Sequence, residues 1–207
     1  MRGLPIVISA PSGAGKGTVI PFVMKGLKDA AFSVSCTTRS PRPGEVHGVN
    51  YFFISRDEFL KRLERNEMLE HNEYVGNMYG TPRKETEDAL SAGKDVIFEI
   101  DVNGAMNIKK AMPEAVLIMI MPPDYHTLEN RLRLRGTDAP EVIAQRMAQS
   151  LKEIEYLPRY DYFVINETGK AEEAAKKILA IIEAERYTTA RHPDYVETFK
   201  NDRTEEN

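Results

Sequence analysis

The amino-acid sequence predicts an α/β protein of the doubly wound class, in which a buried parallel sheet is covered by helices. Short apolar runs of the kind found in strands buried on both faces recur along the chain. They alternate with segments of helical period. The first run leads directly into a glycine-rich turn, an arrangement typical of anion-binding loops. The four apolar runs are residues 5–10, 95–100, 115–121 and 162–165.

Length and charge favour one domain with a local binding site. A chain of 207 residues with 42% hydrophobic content can bury one sizeable core. Its net charge of -4 disfavours the broad positive surface of a nucleic-acid-binding protein. No apolar run approaches membrane-spanning length, no signal pattern opens the chain, and the single cysteine, Cys36, suits a reducing compartment. We therefore expect a cytoplasmic protein without nucleic-acid or membrane partners, and the sequence leaves its oligomeric state open.

The glycine-rich turn after the first run predicts a nucleoside triphosphate site. Its glycines let backbone N–H groups approach an anion, the following helix presents its positive end, and Lys16 can reach the β- and γ-phosphates. Two positions depart from the strict G-x-x-x-x-G-K-[ST] pattern, since Ala10 replaces the first glycine and Gly17 separates Lys16 from Thr18. We therefore expect Mg²⁺ to be held chiefly by ATP oxygens and water, with Thr18 in a supporting role. The predicted ATP-binding residues of this loop are Ala10, Pro11, Ser12, Gly13, Ala14, Gly15, Lys16, Gly17 and Thr18.

Prolines and glycines interrupt residues 36–55. We interpret this segment, with the residues that follow to about Gly80, as an inserted subdomain with a strand-like stretch at residues 50–54. Arg39 and Arg42 can donate paired hydrogen bonds to a phosphate, and Tyr51 and Tyr79 add hydroxyl donors. Taken alone, the two arginines are explained equally well as a solvated basic loop.

Three helices are predicted after the inserted subdomain. The first spans residues 81–93, with Thr81 as its N-cap, Pro82 at the first helical position and Gly93 as its stop. Residues 138–157 and 171–186 place apolar side chains on one face. The strand at residues 95–100 is followed by Asp101, and an acid at the carboxyl end of a parallel strand lies where such sheets bind ligands.

Residues 33–45, 48–53 and 76–81, together with Glu70 and the glycine-rich loop, resemble the signature of the guanylate kinase family. The resemblance runs from about Pro5 to Arg186. It implies a P-loop parallel sheet core flanked by helices, with a small inserted GMP-binding subdomain and a helical lid. The expected domain covers residues 1–187, divided into a core (1–34, 82–125 and 158–187), a GMP-binding insertion (about 35–81) and a lid (about 126–157), and a polar tail follows at residues 188–207.

The resemblance also implies a reaction, transfer of the terminal phosphoryl group of ATP to GMP, with dGMP left open as a second acceptor. Guanine presents N1–H and a 2-amino group as neighbouring donors, for which a carboxylate is the natural acceptor, and Glu70 matches the family's position for that role. An isolated glutamate is usually a surface residue, so Glu70 rests on the resemblance. The implied GMP-binding residues are Ser35, Arg39, Arg42, Tyr51, Glu70, Tyr79, Thr81 and Asp101.

Arginines in residues 131–146 resemble those of the family's mobile lid, which can close over a triphosphate and neutralise its charge. Two positions depart from the family pattern, since Glu99 stands where an aspartate is common and Asn103 replaces the usual glutamine. Arg131, Arg135 and Asn166 are the further ATP-binding residues that the resemblance implies. The implied catalytic residues are Lys16, Arg39, Asp101, Arg135 and Arg146.

Two other functions remain open at this level. A catalytically silent module of the same fold would bind protein partners, although such a domain is expected to lose parts of the phosphate-binding apparatus that this chain retains. A monophosphate kinase for AMP, UMP or CMP would share the loop and lid but not the arginine, tyrosine and Glu70 set. A switch GTPase is disfavoured because the sequence has no Asn-Lys-x-Asp run.

Overall fold

A computed structural model describes residues 2–74, 76–134 and 139–201. Short 3-10 turns lie at Leu157–Arg159 and Thr189–Arg191. In chain order the strands and helices are β1 (Pro5–Ser9), α1 (Lys16–Gly26), β2 (Ala30–Phe32), β3 (Cys36–Thr37), β4 (Phe52–Phe53), α2 (Arg56–Glu64), β5 (Met68–Tyr74), β6 (Asn77–Pro82), α3 (Arg83–Ser91), β7 (Asp95–Glu99), α4 (Val102–Ala111), β8 (Val116–Met121), α5 (Tyr125–Leu134), α6 (Pro140–Ile154), β9 (Tyr162–Ile165), α7 (Ala171–Glu185) and α8 (Tyr195–Asn201).

The central sheet has five strands in the order β2-β7-β1-β8-β9, and all of its pairings are parallel. Ile6 on the central strand lies opposite Ile97 on one side and Val116 on the other. The four predicted apolar runs all form strands of this sheet. The edge strand β2 was not predicted. The doubly wound parallel architecture is therefore confirmed.

Helices cover both faces of the sheet because side chains alternate along each strand. On one face Ile6 and Ile118 pack with Val19 of α1 and Ile178 of α7. On the opposite face Phe98 and Leu117 pack with helices α3 and α4, through residues such as Leu90 and Ile108. These two apolar layers fix the carboxyl ends of the strands at one edge of the domain, where the loops with polar side chains follow.

A second, four-stranded sheet, in the order β4-β3-β6-β5, is built from residues 36–82. It has its own small core of Cys36, Phe59, Met68 and Met78. The predicted strand at residues 50–54 is shorter in the structure, since only Phe52–Phe53 pair in the ladder. The division into core, insertion and lid stays an expectation, although the separate sheet and core occupy the segment expected for the insertion.

The prediction that Thr81 caps a helix is wrong. β6 continues through Pro82, so α3 begins at Arg83 and Pro82 is its N-cap, without a side-chain hydrogen bond to the first turn. Thr81 instead pairs with Glu70 across the β5–β6 ladder, and its side chain is fully buried. Strand pairing therefore directs the Thr81 hydroxyl toward Glu70.

Helices α5 and α6 form a pair whose contact is apolar, through Leu128, Leu132, Ile143 and Met147. α6 is somewhat shorter than the predicted helix at residues 138–157. In the tail, the turn after α7 and helix α8 are helical structure that the sequence did not predict. Within the described ranges, none of the helices is long and apolar enough to cross a membrane.

Candidate functional site

Three of the loops that carry predicted site residues follow the carboxyl ends of parallel strands, where such sheets bind ligands. The glycine-rich loop follows β1, Asp101 follows β7 and Asn166 follows β9. The central position of β1 between β7 and β8 brings the glycine-rich loop beside the segment that contains Asp101.

Two glycines of the loop have backbone conformations that other residues rarely adopt. Gly13 has a φ of 90° and Gly15 a φ of 93°. A Cβ atom on Gly15 would lie 2.4 Å from Nδ2 of Asn166, and one on Gly13 would lie 3.0 Å from a methyl carbon of Leu128. α1 begins at Lys16, immediately after Gly15, so its N-terminal N–H groups belong to the loop. The loop has the form of an anion-binding turn at a helix N-terminus.

Lys16 extends from this loop to the end of β7. Its Nζ donates a hydrogen bond to the carbonyl oxygen of Ile100 at 3.3 Å and lies 3.9 Å from Oε1 of Glu99. Burial lowers the pKa of Lys16, while the negative charges of Glu99, Asp101 and Glu153 act in the opposite direction. The ammonium group is thus held between the loop and the neighbouring strand end.

Thr18 is exposed, and its hydroxyl donates to the carbonyl oxygen of Gly15 at 2.6 Å. Its oxygen keeps lone pairs that can accept or coordinate. In the described residues, no three histidine, cysteine, aspartate or glutamate side chains form a group that could hold a metal ion.

Asp101 has a structural role as well as a place in the site. It is the N-cap of α4, and its Oδ1 accepts a hydrogen bond from the N–H of Gly104 at 2.8 Å. Asp101 also lines the cavity described below. The cap holds the carboxylate at the edge of that cavity.

A cavity of about 450 Å³ lies between the end of β7, the start of α4 and the second sheet. This volume is within the range of small-molecule sites. Five residues of the predicted GMP set line it, namely Ser35, Tyr51, Glu70, Tyr79 and Asp101. Its wall also contains residues that were not assigned to this site from the sequence, namely His71, Asn72, Glu99, Ile100, Asn103, Gly104 and Asn107.

Glu70 is a half-buried carboxylate in the wall of this cavity. The hydroxyl of Thr81 donates to its Oε1 at 2.7 Å. Burial raises the pKa of Glu70, the hydrogen bond from Thr81 opposes this shift, and the charge of Asp101 adds to it. The pair presents an oriented carboxylate to the cavity.

Arg39 lies over the ring of the cavity residue Tyr51, with its guanidinium carbon 5.5 Å from the ring centroid. Glu45 holds the arginine segment together. Its Oε1 accepts from Nη2 of Arg39 at 2.9 Å, and its Oε2 accepts from the backbone N–H of Arg42 at 2.7 Å. Glu45 was missed as a site residue, although it belongs to the segment 33–45 that carries the resemblance. The Arg42 side chain is exposed.

Two predicted lid residues, Arg131 and Arg146, and the predicted ATP-site residue Asn166 donate hydrogen bonds to the glycine-rich loop. Arg146 donates to Oγ of Ser12 through Nη2 at 2.9 Å. Arg131 donates to the carbonyl oxygens of Ala14 at 3.2 Å and Asn166 at 2.8 Å. The buried Asn166 amide donates to the same Ala14 oxygen at 2.8 Å. Arg131 and Asn166 therefore support the loop conformation here, and Arg135 lies outside the described residues.

Comparison with known proteins gives a consistent family. Residues 2–185 match the family model described as guanylate kinase. The chain is 47% identical over 203 residues to a guanylate kinase of Lactobacillus delbrueckii subsp. bulgaricus, covering 97% of this chain and 98% of the relative. It is 48% identical over 201 residues to a guanylate kinase of Lactobacillus johnsonii, covering 97% of this chain and 96% of that one.

A solved structure agrees with these sequence matches. The crystal structure of guanylate kinase from Anaplasma phagocytophilum superimposes with a TM-score of 0.69 at 35% sequence identity, covering 92% of this chain and 89% of that one.

Proposed function

This chain belongs to the guanylate kinase family, whose members transfer a phosphoryl group from ATP to GMP, and we propose that it divides that reaction between the glycine-rich loop and the cavity beside it. The loop at residues 10–18 is the donor site. The cavity lined by Glu70, Asp101 and the two tyrosines is the acceptor site. The protein is therefore an enzyme of the kinase class.

One observation supports this division above the others. Glu99 and Ile100 line the cavity, and both contact the Lys16 ammonium group. The cavity is therefore adjacent to the group expected to contact the triphosphate. Two substrates in these positions would have their phosphates close together, as direct in-line transfer requires.

At the donor site, the loop N–H groups and Lys16 contact the phosphates of ATP, and Arg131 and Asn166 support the loop. Arg146 and Arg135 neutralise charge on the transferring group. Magnesium ion, when bound with ATP, would neutralise the β- and γ-phosphate oxygens. The Thr18 hydroxyl would support the ion, and nucleotide oxygens and water would supply its remaining ligands.

At the acceptor site, Glu70 accepts from N1–H and the 2-amino group of guanine, and Thr81 fixes its orientation. Ser35 and Asp101 add hydrogen bonds around the base. Arg39, Arg42, Tyr51 and Tyr79 bind the acceptor phosphate. That phosphate carries its second negative charge above a pKa of about 6, so the attacking oxygen needs no general base near neutral pH.

The composition and the site also suggest where the enzyme works. Cys36 is buried in the second sheet, with its pKa raised to about 11 by burial, and is therefore an unreactive thiol. A net charge of -4 offers no broad surface for nucleic acid. These features suit a cytoplasmic enzyme that uses ATP and GMP, with dGMP as a further acceptor to be tested.

The decisive experiment is a coupled ADP-release assay with Mg-ATP and each of GMP, dGMP, AMP, UMP and CMP. ADP release confined to the guanine nucleotides is the expected result. Release with another base would retain the kinase and discard the proposed role of Glu70. If none of the five supports release while GMP still binds in calorimetry, the chain is a silent binding module.

Changing Glu45 to glutamine is expected to raise the KM for GMP about fivefold and to leave the KM for ATP unchanged. The amide keeps the size of the side chain but loses the charge that holds Arg39. Initial rates at varied GMP and fixed ATP measure the effect. The matched control is Glu73→Gln, an exposed acid of the same subdomain that pairs with Arg56. Equal KM values for GMP in the two variants would contradict a role for Glu45.

A further inference from the structure

Three side chains on one face of α6 contact Ser12 of the glycine-rich loop. Arg146 donates to its side-chain oxygen at 2.9 Å, and Oγ of Ser150 donates to its carbonyl oxygen at 3.1 Å. Oε2 of Glu153 accepts from its backbone N–H at 3.3 Å. Positions 146, 150 and 153 lie on the same face of a helix, because they follow one another at spacings of four and three residues. α6 thus contacts the hydroxyl, the carbonyl and the N–H of one loop residue.

Glu153 is the unexpected member of this set, because a carboxylate beside a phosphate loop repels the ligand of that loop. Its side chain is half-buried, and Nε2 of Gln149 donates to its other oxygen at 3.2 Å, which fixes its orientation. A fixed carboxylate next to an anion site must have a favourable effect that exceeds its repulsion of the bound phosphates. Its bond to the Ser12 N–H supplies one, since that bond restrains the loop backbone itself.

Apolar contacts join the same helices to the next loop residue. Gly13 lies so close to Leu128 and Leu132 of α5 that an added Cβ would be 3.0 Å from each of them. Those two leucines pack with Ile143 and Met147 of α6. The loop and the α5–α6 pair are therefore connected by hydrogen bonds at Ser12 and by packing at Gly13.

We propose that Glu153 and Ser150 are positioning residues, which hold the Ser12 backbone so that the loop N–H groups and the Arg146 guanidinium keep one fixed geometry during phosphoryl transfer. This inference rests on the proposed function. Neither side chain needs to touch a substrate. In-line transfer depends on alignment, and a misplacement of about 1 Å can cost a hundredfold in rate. Releasing the Ser12 peptide should therefore slow the reaction without affecting the guanine site, whose residues none of these three hydrogen bonds contacts.

The test compares Glu153→Ala, Glu153→Gln and Ser150→Ala with the wild-type enzyme. We expect Glu153→Ala to lower kcat about tenfold or more and to weaken Mg-ADP binding, with the KM for GMP unchanged. Glutamine should restore most of the activity, because its amide oxygen can accept the same N–H. Ser150→Ala should give a smaller loss of the same kind. Glu155→Ala, an exposed acid at the end of the same helix, is the matched control and should behave as wild type.

A double-mutant cycle tests whether the contacts act as a unit. If Arg146 depends on a correctly held Ser12, Arg146→Ala combined with Glu153→Ala should lose less activity than the product of the two single losses. Losses that simply multiply would show independent roles and overturn the proposal. A glutamine variant as slow as the alanine variant would assign the effect to charge near Lys16, and would overturn it as well.

Further outcomes separate this inference from the proposed function. Tighter Mg-ADP binding in Glu153→Ala would mean that the carboxylate competes with phosphate for the Ser12 N–H, contrary to the proposal. If the wild-type protein makes no ADP with GMP, the proposed function fails. Calorimetry with Mg-ADP then still tests whether Glu153 and Ser150 keep the loop in its binding conformation. Thermal unfolding of each variant identifies a loss of fold, and the glutamine and Ser150 variants keep the test valid if the alanine variant unfolds.

Discussion

Replacing Lys16 with methionine is expected to lower kcat about a thousandfold or more while leaving the protein folded. Lys16 brings a positive charge to the point where the phosphate loop meets the acceptor cavity, through its contacts with Ile100 and Glu99. Charge in the transition state is spread over the transferring group, and a fixed ammonium stabilises it far more than the methionine side chain can. Methionine retains the length and the apolar stem of the lysine, so the packing around the loop is preserved.

The same change should not reduce stability. Burial lowers the pKa of Lys16, which means that the folded state holds the charged lysine less favourably than the unfolded state does. That unfavourable contribution appears as the pH falls below the ordinary pKa of lysine, so it is present at neutral pH, and methionine removes it. Lys16→Met should therefore melt at the wild-type temperature or above it, as expected for a functional residue that lowers stability.

Coupled ADP release and thermal melting measure the two effects on one preparation. Lys25→Met is the matched control, because Lys25 lies exposed in the last turn of the same helix. A kcat within about tenfold of wild type would contradict the assigned role, since a single oxyanion donor is already worth about a hundredfold. A marked loss of melting temperature would show that the buried charge contributes to folding.

The central sheet was predictable from the sequence because four of its five strands are apolar runs of at least four residues, and three of these, β1, β7 and β8, are buried along almost their whole length. Such runs are hydrophobic irrespective of the details of packing. The edge strand Ala30–Phe32 lacks that signal, since it is three residues long and Phe32 is exposed. The glycine-rich loop was predictable for a different reason, because positive φ at Gly13 and Gly15 and the lysine that follows form a local pattern.

Contacts between distant segments were not predictable in this way. Thr81 satisfied the local rule for a helix N-cap, but its strand pairing with Glu70 determined where the hydroxyl points. Glu153 lies 141 positions from Ser12, and no local pattern relates them. Glu45 could have been identified from the sequence, because it stands in the segment that carries both arginines. A carboxylate three positions from Arg42 is a local signal that the sequence interpretation did not use.

Replacing Glu70 with glutamine should lower kcat/KM for GMP about a thousandfold while changing the KM for ATP little. Guanine offers two neighbouring donors, and a carboxylate accepts from both. The Thr81 hydroxyl already donates to Oε1 of Glu70. In the variant, the amide oxygen either keeps the bond to Thr81 and turns its NH₂ group toward the donors of the base, or faces the base and turns its NH₂ group toward the buried hydroxyl. In the first orientation polar hydrogens face each other, and in the second a single amide oxygen faces both donors of the base while the Thr81 hydroxyl turns to accept from the NH₂ group.

The pH dependence provides a second signature of Glu70. Because burial raises its pKa, Glu70 loses its charge at a higher pH than an ordinary glutamate as the solution is acidified. The ratio of wild-type to Glu70→Gln kcat/KM for GMP should therefore be largest near neutral pH and fall toward one in acid. Titration of the GMP phosphate cancels in this ratio, since both enzymes use the same substrate. A ratio that does not change with pH would contradict a role for the ionised carboxylate.

Substrate comparison separates recognition of the base from a general defect. Inosine monophosphate keeps N1–H but lacks the 2-amino group, so the wild-type enzyme should use it less well than GMP by about one hydrogen bond to a charged group, roughly ten- to a hundredfold. In Glu70→Gln the preference for GMP over inosine monophosphate should almost disappear, because the amide no longer accepts from both donors. Glu73→Gln, on the same strand, should retain the full preference. If Glu70→Gln retains it too, another residue of the cavity selects the 2-amino group.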